Sequence, residues 1–296
     1  MASPELQTVI QLLKDLNFGA PGDIASMRRN LEIAASLFQK PADVAYEPVD
    51  ADGVPAEWTS APDADATRAL VYFHGGAYTS GGIGSHRALC TELSRVAGVR
   101  VLNVGYRLAP EDPHPAAVED ALSVTRWLAK QGVAPERTAF GGDSAGGGLA
   151  LAALVALRDA GEDLPAAAVC LSPWTDLTLS GASFRGLAHV DPMVRPESLT
   201  LSRDRYVDAA RAASPLASPL FADFTGLPPL LLQVGSAECL LDDSTRVAAR
   251  AQAAGVDVTL EVWDEMIHVW QAFFPLLPEA RDALAQVAAF LRGRLA

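Results

Sequence analysis

Ser144 stands among glycines in the run Gly141-Gly142-Asp143-Ser144-Ala145-Gly146-Gly147-Gly148, and a serine so placed is a candidate nucleophile. The pattern Gly142-x-Ser144-x-Gly146 follows a short β-type run, Arg137 to Phe140, and opens a helical run from Leu149 to Arg158. Strand, sharp turn and helix in that order lift a hydroxyl clear of a sheet, through a turn so tight that side chains two positions either side would clash. A hydroxyl is a poor nucleophile near neutral pH. It needs a histidine base, and the base needs a carboxylate to hold its tautomer and stabilise the imidazolium. The chemistry implied is acyl transfer through a covalent serine intermediate.

Five histidines compete for the base: His74, His86, His114, His189 and His268. Only His268 lies past the last expected strand, after Val262-Trp263 and a short acidic turn, where it can project from a carboxyl end toward Ser144. The acid should fall between these two in sequence. The segment Gln233 to Asp243 offers Glu238, Asp242 and Asp243. Glu238 comes four residues after Val234, where a turn can aim it back over the sheet, so it is the first choice; Asp242 is second. Asp242 and Asp243 suit the first turn of a following helix, where the dipole favours acids. His74-Gly75-Gly76-Ala77-Tyr78 follows a strand ending in Phe73. Consecutive glycines let a backbone approach a tetrahedral oxyanion closely, so Gly75 and Gly76, with Ala145, are the expected oxyanion-hole N–H donors. No Gly-Lys-Ser/Thr follows that would make the loop a phosphate cradle.

These groups must be carried by a sheet. Short apolar runs at Ala69–Phe73, Val101–Val104, Thr138–Phe140, Ala168–Leu171, Leu230–Val234 and Val258–Val262 alternate with helical stretches. That alternation predicts a mainly parallel sheet covered on both faces, with sites at the carboxyl ends of its strands. Val44–Val49 and Val54–Trp58 read as an antiparallel pair turning near Asp52-Gly53. Before any strand come two amphipathic runs: Leu6, Val9, Ile10, Leu13 and Leu16 after a Ser3-Pro4 start, then Ile24, Met27, Leu31 and Phe38. Residues 1–40 are therefore expected to form a helical cap, with an N-terminal interaction arm as the competing view, and 41–296 the catalytic domain. The stretch 180–224 is too long for an ordinary crossover and carries its own amphipathic run, Pro196 to Ala212, so it is expected to complete the cap.

Composition narrows the partners. A 296-residue chain, half of it hydrophobic, can bury one large core. A formal charge of -13 disfavours nucleic acid and anionic membranes, which demand concentrated Lys and Arg, and suits a small neutral or apolar ligand. No basic leader or long apolar stretch is evident, so the expectation is a cytoplasmic protein without a membrane span. Cys90, Cys170 and Cys239 have no metal-type spacing and read as reduced thiols. The last strand is a candidate sheet edge, whose pairing between copies would make a homodimer.

Taken together, His74-Gly75-Gly76, Tyr106-Arg107-Leu108-Ala109-Pro110-Glu111, Gly142-Asp143-Ser144-Ala145-Gly146-Gly147, Ser172-Pro173-Trp174-Thr175-Asp176 and the segment Glu238 to Asp242 resemble the hormone-sensitive-lipase-like branch of α/β-hydrolase carboxylesterases. They span most of the catalytic region in the family's order. The resemblance implies an eight-stranded α/β-hydrolase fold with an N-terminal helical cap. It also implies hydrolysis of short-chain acyl esters with no metal or organic cofactor. The family more often has aspartate where Glu238 stands, asparagine at Gly148 and glycine at Val269. Tyr106, Arg107 and Glu111 are expected to tie a loop together beneath the site, and Asp143 to orient the elbow. A non-catalytic ligand-binding protein of this fold, or an amidase or peptidase, is the alternative. Retention of both Ser144 and His268 disfavours the first of these.

Overall fold

The computed structural model describes residues 2–15, 23–36 and 40–295. Chain order is α1 (Pro4–Asp15), α2 (Ile24–Ser36), β1 (Ala45–Ala51), β2 (Val54–Ser60), β3 (Asp65–Phe73), α3 (Ile83–Ala97), β4 (Val99–Val104), α4 (Ala116–Lys130), β5 (Thr138–Asp143), α5 (Ala145–Asp159), β6 (Ala167–Leu171), α6 (Ser183–Gly186), α7 (Pro196–Tyr206), β7 (Leu230–Gly235), α8 (Leu241–Ala253), β8 (Val258–Trp263) and α9 (Pro278–Arg292). The strands form one eight-stranded sheet in the order β1-β2-β4-β3-β5-β6-β7-β8. β1 and β2 are antiparallel, as are β2 and β4, and every other neighbouring pair is parallel. The β1–β2 turn is Asp52-Gly53, both at positive φ, and β8 is an edge strand.

The two-residue period of the strands sorts their side chains onto two cores. Val71, Phe73, Phe140, Cys170 and Leu232 face a cluster containing Val118 and Val124 of α4, Leu151 of α5 and Val247 of α8. Leu70, Tyr72, Ala139, Val169 and Leu231 face the other side, onto Leu89 and Leu93 of α3 and Leu284 and Leu291 of α9. Helices thus cover both faces, as the near-continuous apolar strands require. α5 is buried almost all round, from Ala145 to Val155, which fits its Ala, Leu and Gly composition.

α1 lays Leu6, Val9 and Leu13 against Met266, Ile267 and Trp270, and α2 contacts α3. Leu16 and Phe38, expected on the apolar faces of these two helices, lie outside the described residues. In the stretch 180–224 the amphipathic run Pro196 to Ala212 is α-helical only as far as Tyr206. α7 stops at Tyr206, because Tyr206 O accepts the N–H of His114 at 2.8 Å and Val207 is extended (φ -150°). Tertiary bonding there outweighs the sequence periodicity. No helix among the described residues is long and apolar enough to cross a membrane.

Candidate active site

Five strand ends converge on one edge of the sheet. Ser144 sits between β5 and α5 with φ 51° and ψ -121°, a region that L-residues rarely occupy and that persists only where neighbours over-determine it. The neighbours are backbone. Ser144 N donates to Leu171 O at 2.9 Å, and Ser144 O accepts the N–H of Trp174 at 2.8 Å. A Cβ at Gly146 would lie 1.9 Å from Phe73 O, and one at Gly142 would lie 2.4 Å from the Gly146 carbonyl. Both flanking glycines are therefore required by contact.

Glu238 follows β7 and His268 follows β8. His268 Nδ1 lies 2.5 Å from Glu238 Oε2, leaving Nε2 as the nitrogen able to take a proton from a hydroxyl. The other carboxylate oxygen, Oε1, accepts Ser172 Oγ–H at 2.7 Å and Gly235 N–H at 2.6 Å. Ser144, Glu238 and His268 are all buried. Burial disfavours the imidazolium, but the adjacent Glu238 carboxylate outweighs it, with Asp191 and Asp143 adding in the same sense. The His268 pKa lies above its ordinary 6.5. Asp242, the second candidate acid, instead accepts Ser183 N–H at 2.9 Å from the first turn of α8.

The glycine loop after β3 departs from expectation at Gly75. Its N–H donates to Asp143 Oδ1 at 3.0 Å, and a Cβ there would meet Asp143 Oδ2 at 2.1 Å. That N–H is committed within the fold. Among the described residues the N–H groups of Gly76, Ala77 and Ala145 have no acceptor. Gly76, Ala77 and Tyr78 all have positive φ. Gly76 O closes the loop by accepting Thr79 N–H at 3.0 Å and Ser80 N–H at 2.9 Å.

Asp143 is the hub behind this loop. Besides Gly75 it accepts Tyr72 Oη–H at 2.8 Å and faces His86 Nε2 at 3.3 Å. Burial would raise the Asp143 pKa and lower that of His86. The two charges together reverse both effects, so Asp143 titrates below and His86 above its ordinary range. His74, stacked on Tyr106 with centroids 4.1 Å apart, goes the other way. Burial and the charge of His86 push its pKa down to about 3, so it stays neutral. Among the described residues no group of three His, Cys, Asp or Glu side chains could hold a metal ion.

Against known proteins, the pattern described as the alpha/beta hydrolase fold matches residues 70–272. An acetyl-hydrolase of Streptomyces hygroscopicus is 46% identical over 297 residues, 99% of this chain and 97% of its own length. An esterase of Acinetobacter venetianus is 37% identical over 96% of this chain and 93% of its own. Among solved structures, an esterase from the bacterial hormone-sensitive lipase family shares 47% identity and a TM-score of 0.97, with 100% of both chains covered. The chain belongs to the hormone-sensitive-lipase-like family of α/β-hydrolase carboxylesterases. EstE5, solved after soaking by p-nitrophenyl butyrate, resembles it at 45% identity and a TM-score of 0.95 over 99% of each chain.

The esterase also uses residues that sequence reasoning passed over. Ser172, fully buried at φ 45°, holds Glu238 and accepts Val269 N–H at 3.1 Å. Its only sequence signal is its place in the Ser172-Pro173-Trp174 motif. Asp191 takes Cys239 N–H at 2.8 Å and the N–H groups of Met193 and Val194 at 2.9 Å each, anchoring the stretch 180–224 to the residue beside Glu238. Tyr206, at the end of α7, stacks on Tyr78 with centroids 3.9 Å apart and planes within 3°. Tyr78 and Trp174 are fully buried in the core.

Proposed function

We propose that this esterase hydrolyses short-chain acyl esters with Ser144 as nucleophile, His268 as general base and acid, and Glu238 as the carboxylate that orients His268. The observation that carries the reading is the conjunction at one sheet edge of a left-handed, glycine-flanked serine with the His268–Glu238 pair at 2.5 Å. Ser144 Oγ attacks the ester carbonyl while His268 Nε2 takes its proton, and Glu238 stabilises the imidazolium through Nδ1–H. The tetrahedral oxyanion sits on the N–H groups of Gly76, Ala77 and Ala145, with Gly75 acting through Asp143. Collapse expels the alcohol, which leaves with the proton from His268. A water deprotonated by the same nitrogen then attacks the acyl-enzyme and releases the acid.

The N-terminal helices (residues 1–40) and the stretch 180–224 act as a cap that limits the acyl group, and residues 41–296 carry the chemistry. The supporting contacts are Tyr206 on Tyr78 and α1 against Met266 and Ile267, which flank the base loop. An enclosed site selects acetyl to hexanoyl chains; the acetyl-hydrolase name of the Streptomyces relative is in the same sense. The test is hydrolysis of p-nitrophenyl esters from acetate to palmitate by the unmodified protein and Ser144→Ala. A maximum at short chains, lost in the variant, is expected. Faster turnover of palmitate, or activity retained by Ser144→Ala, overturns the reading.

A further inference from the structure

Arg28 on α2 has a half-buried guanidinium that makes four donations. Nε reaches Thr79 O at 2.8 Å, one terminal nitrogen reaches Ala109 O at 3.0 Å, and the terminal nitrogens reach both oxygens of Glu111 at 2.9 and 2.8 Å. Thr79 belongs to the loop that carries Gly76 and Ala77. Ala109 and Glu111 belong to the Tyr106–Glu111 motif, whose Ala109 N–H also bonds Tyr78 O at 2.9 Å. One side chain from outside the sheet therefore joins the two loops. Met27 adds a contact from the same helix, its sulfur accepting Ser80 Oγ–H at 3.4 Å. Thr79 Oγ1 meets Ser202 Oγ of α7 at 3.3 Å from the other side.

Ala77 and Tyr78, consecutive non-glycine residues, have φ of 53° and 59°. Such a pair is held only by what surrounds it. Gly76 O supplies the inner restraint, Ala109 one outer restraint and Arg28 the other. A planar fork is what this geometry demands, since two carbonyls and a carboxylate must be met at fixed angles; a lysine ammonium presents a single point. Hydrogen bonding from Arg28 holds the Glu111 carboxyl at about 2, so Glu111 stays a carboxylate throughout the working range of a histidine base.

We infer that Arg28 is a positioning residue for the oxyanion loop, so that docking of α2 is a condition for transition-state stabilisation rather than only a cover over the site. The inference rests on the carboxylesterase reading above. Without Arg28 the Thr79 carbonyl is released and the Gly76 and Ala77 N–H groups lose their aim, which affects the rate of acylation more than ground-state binding.

The experiment is steady-state hydrolysis of p-nitrophenyl butyrate by the unmodified protein and by Arg28→Ala, Arg28→Lys, Glu111→Gln and Arg29→Ala, each rate divided by active sites titrated with an organophosphonate. Arg28→Ala and Arg28→Lys should lower kcat by about 10- to 100-fold with KM within about threefold. Millimolar guanidinium should restore part of the Arg28→Ala rate. Glu111→Gln, which keeps both carbonyl contacts, should lose less. Arg29→Ala, whose guanidinium bonds Ser26 Oγ, should match the unmodified protein. If Arg28→Ala has normal kcat per titrated site, Arg28 affects only the folded fraction and the inference is wrong. An unmodified protein inert to both ester and phosphonate overturns the carboxylesterase reading and this inference with it.

Discussion

Ser172 Oγ donates to Glu238 Oε1 at 2.7 Å and accepts the N–H of Val269 at 3.1 Å, so a single buried hydroxyl joins the proposed acid to the residue after the proposed base. Ser172→Ala leaves a buried carboxylate oxygen and a backbone N–H each short of a partner, at about 1–3 kcal/mol per group. The expected result is a kcat reduced by roughly 5- to 150-fold with little change in KM, measured on p-nitrophenyl butyrate. An unchanged kcat would show that Gly235 N–H alone suffices to hold Glu238.

Removing the reacting groups should cost far more. Ser144→Ala and His268→Ala are each expected to lower kcat by roughly 10⁴–10⁶, and the double variant by no more than the worse single one, because the groups act as a unit. Additive losses would refute that coupling.

The pH profile follows from the raised His268 pKa. His268 must be neutral to accept the serine proton, so kcat/KM should fall with decreasing pH through a value above 6.5. Glu238→Gln removes the charge responsible, and the acid limb should move to lower pH as the plateau drops. A wild-type limb centred below 6.5 is the contrary outcome.

A second ionisation should govern stability. Asp243 is buried and its pKa is pushed up to about 7, by burial chiefly, against the N–H bonds from Thr175 and Asp176 that favour its anion. The folded state then holds a proton that the unfolded chain releases near its ordinary value of 3.8. Stability from this group is therefore full below about 4 and declines as pH rises toward 7. Urea denaturation of Asp243→Asn should show a flatter slope across that window than the unmodified protein. Parallel slopes would mean the carboxyl is already ionised when folded.

Glycine at position 148 is explained by contact: a Cβ there would lie 2.1 Å from Trp174 O. Gly148→Asn is expected to destabilise by about 1–3 kcal/mol through displacement of the loop after β6, read as a lowered Tm. An unchanged Tm would mean that the loop moves aside freely.

What could be read from the chain was what local pattern dictates. The strand runs, the Asp52-Gly53 turn and the helix opening at Asp242-Asp243 all lie where their residue types place them. Choosing Glu238 over Asp242 anticipated which carboxylate faces His268. The bond from Gly75 N–H was not legible because its acceptor, Asp143 Oδ1, lies 68 positions away, and nothing local tells a glycine that approaches ligand from one that approaches its own protein. Arg28 and Ser172, and the pairing of His86 with Asp143, escaped notice for the same reason. Their importance depends on partners brought by the sheet, not on neighbours in sequence. The amphipathic run Pro196 to Ala212 does not reveal that its α-helix ends at Tyr206, where His114, on another loop, takes the carbonyl.

The three cysteines have a practical consequence. Cys90 on α3, Cys170 in β6 and Cys239 after β7 are fully buried, and burial raises the pKa of each thiol, that of Cys170 to about 12. Thiolate is the reactive species, so alkylation at neutral pH waits for the chain to open. Because the three positions sit in separate elements, the order in which a maleimide labels them reads out, region by region, how the esterase comes apart.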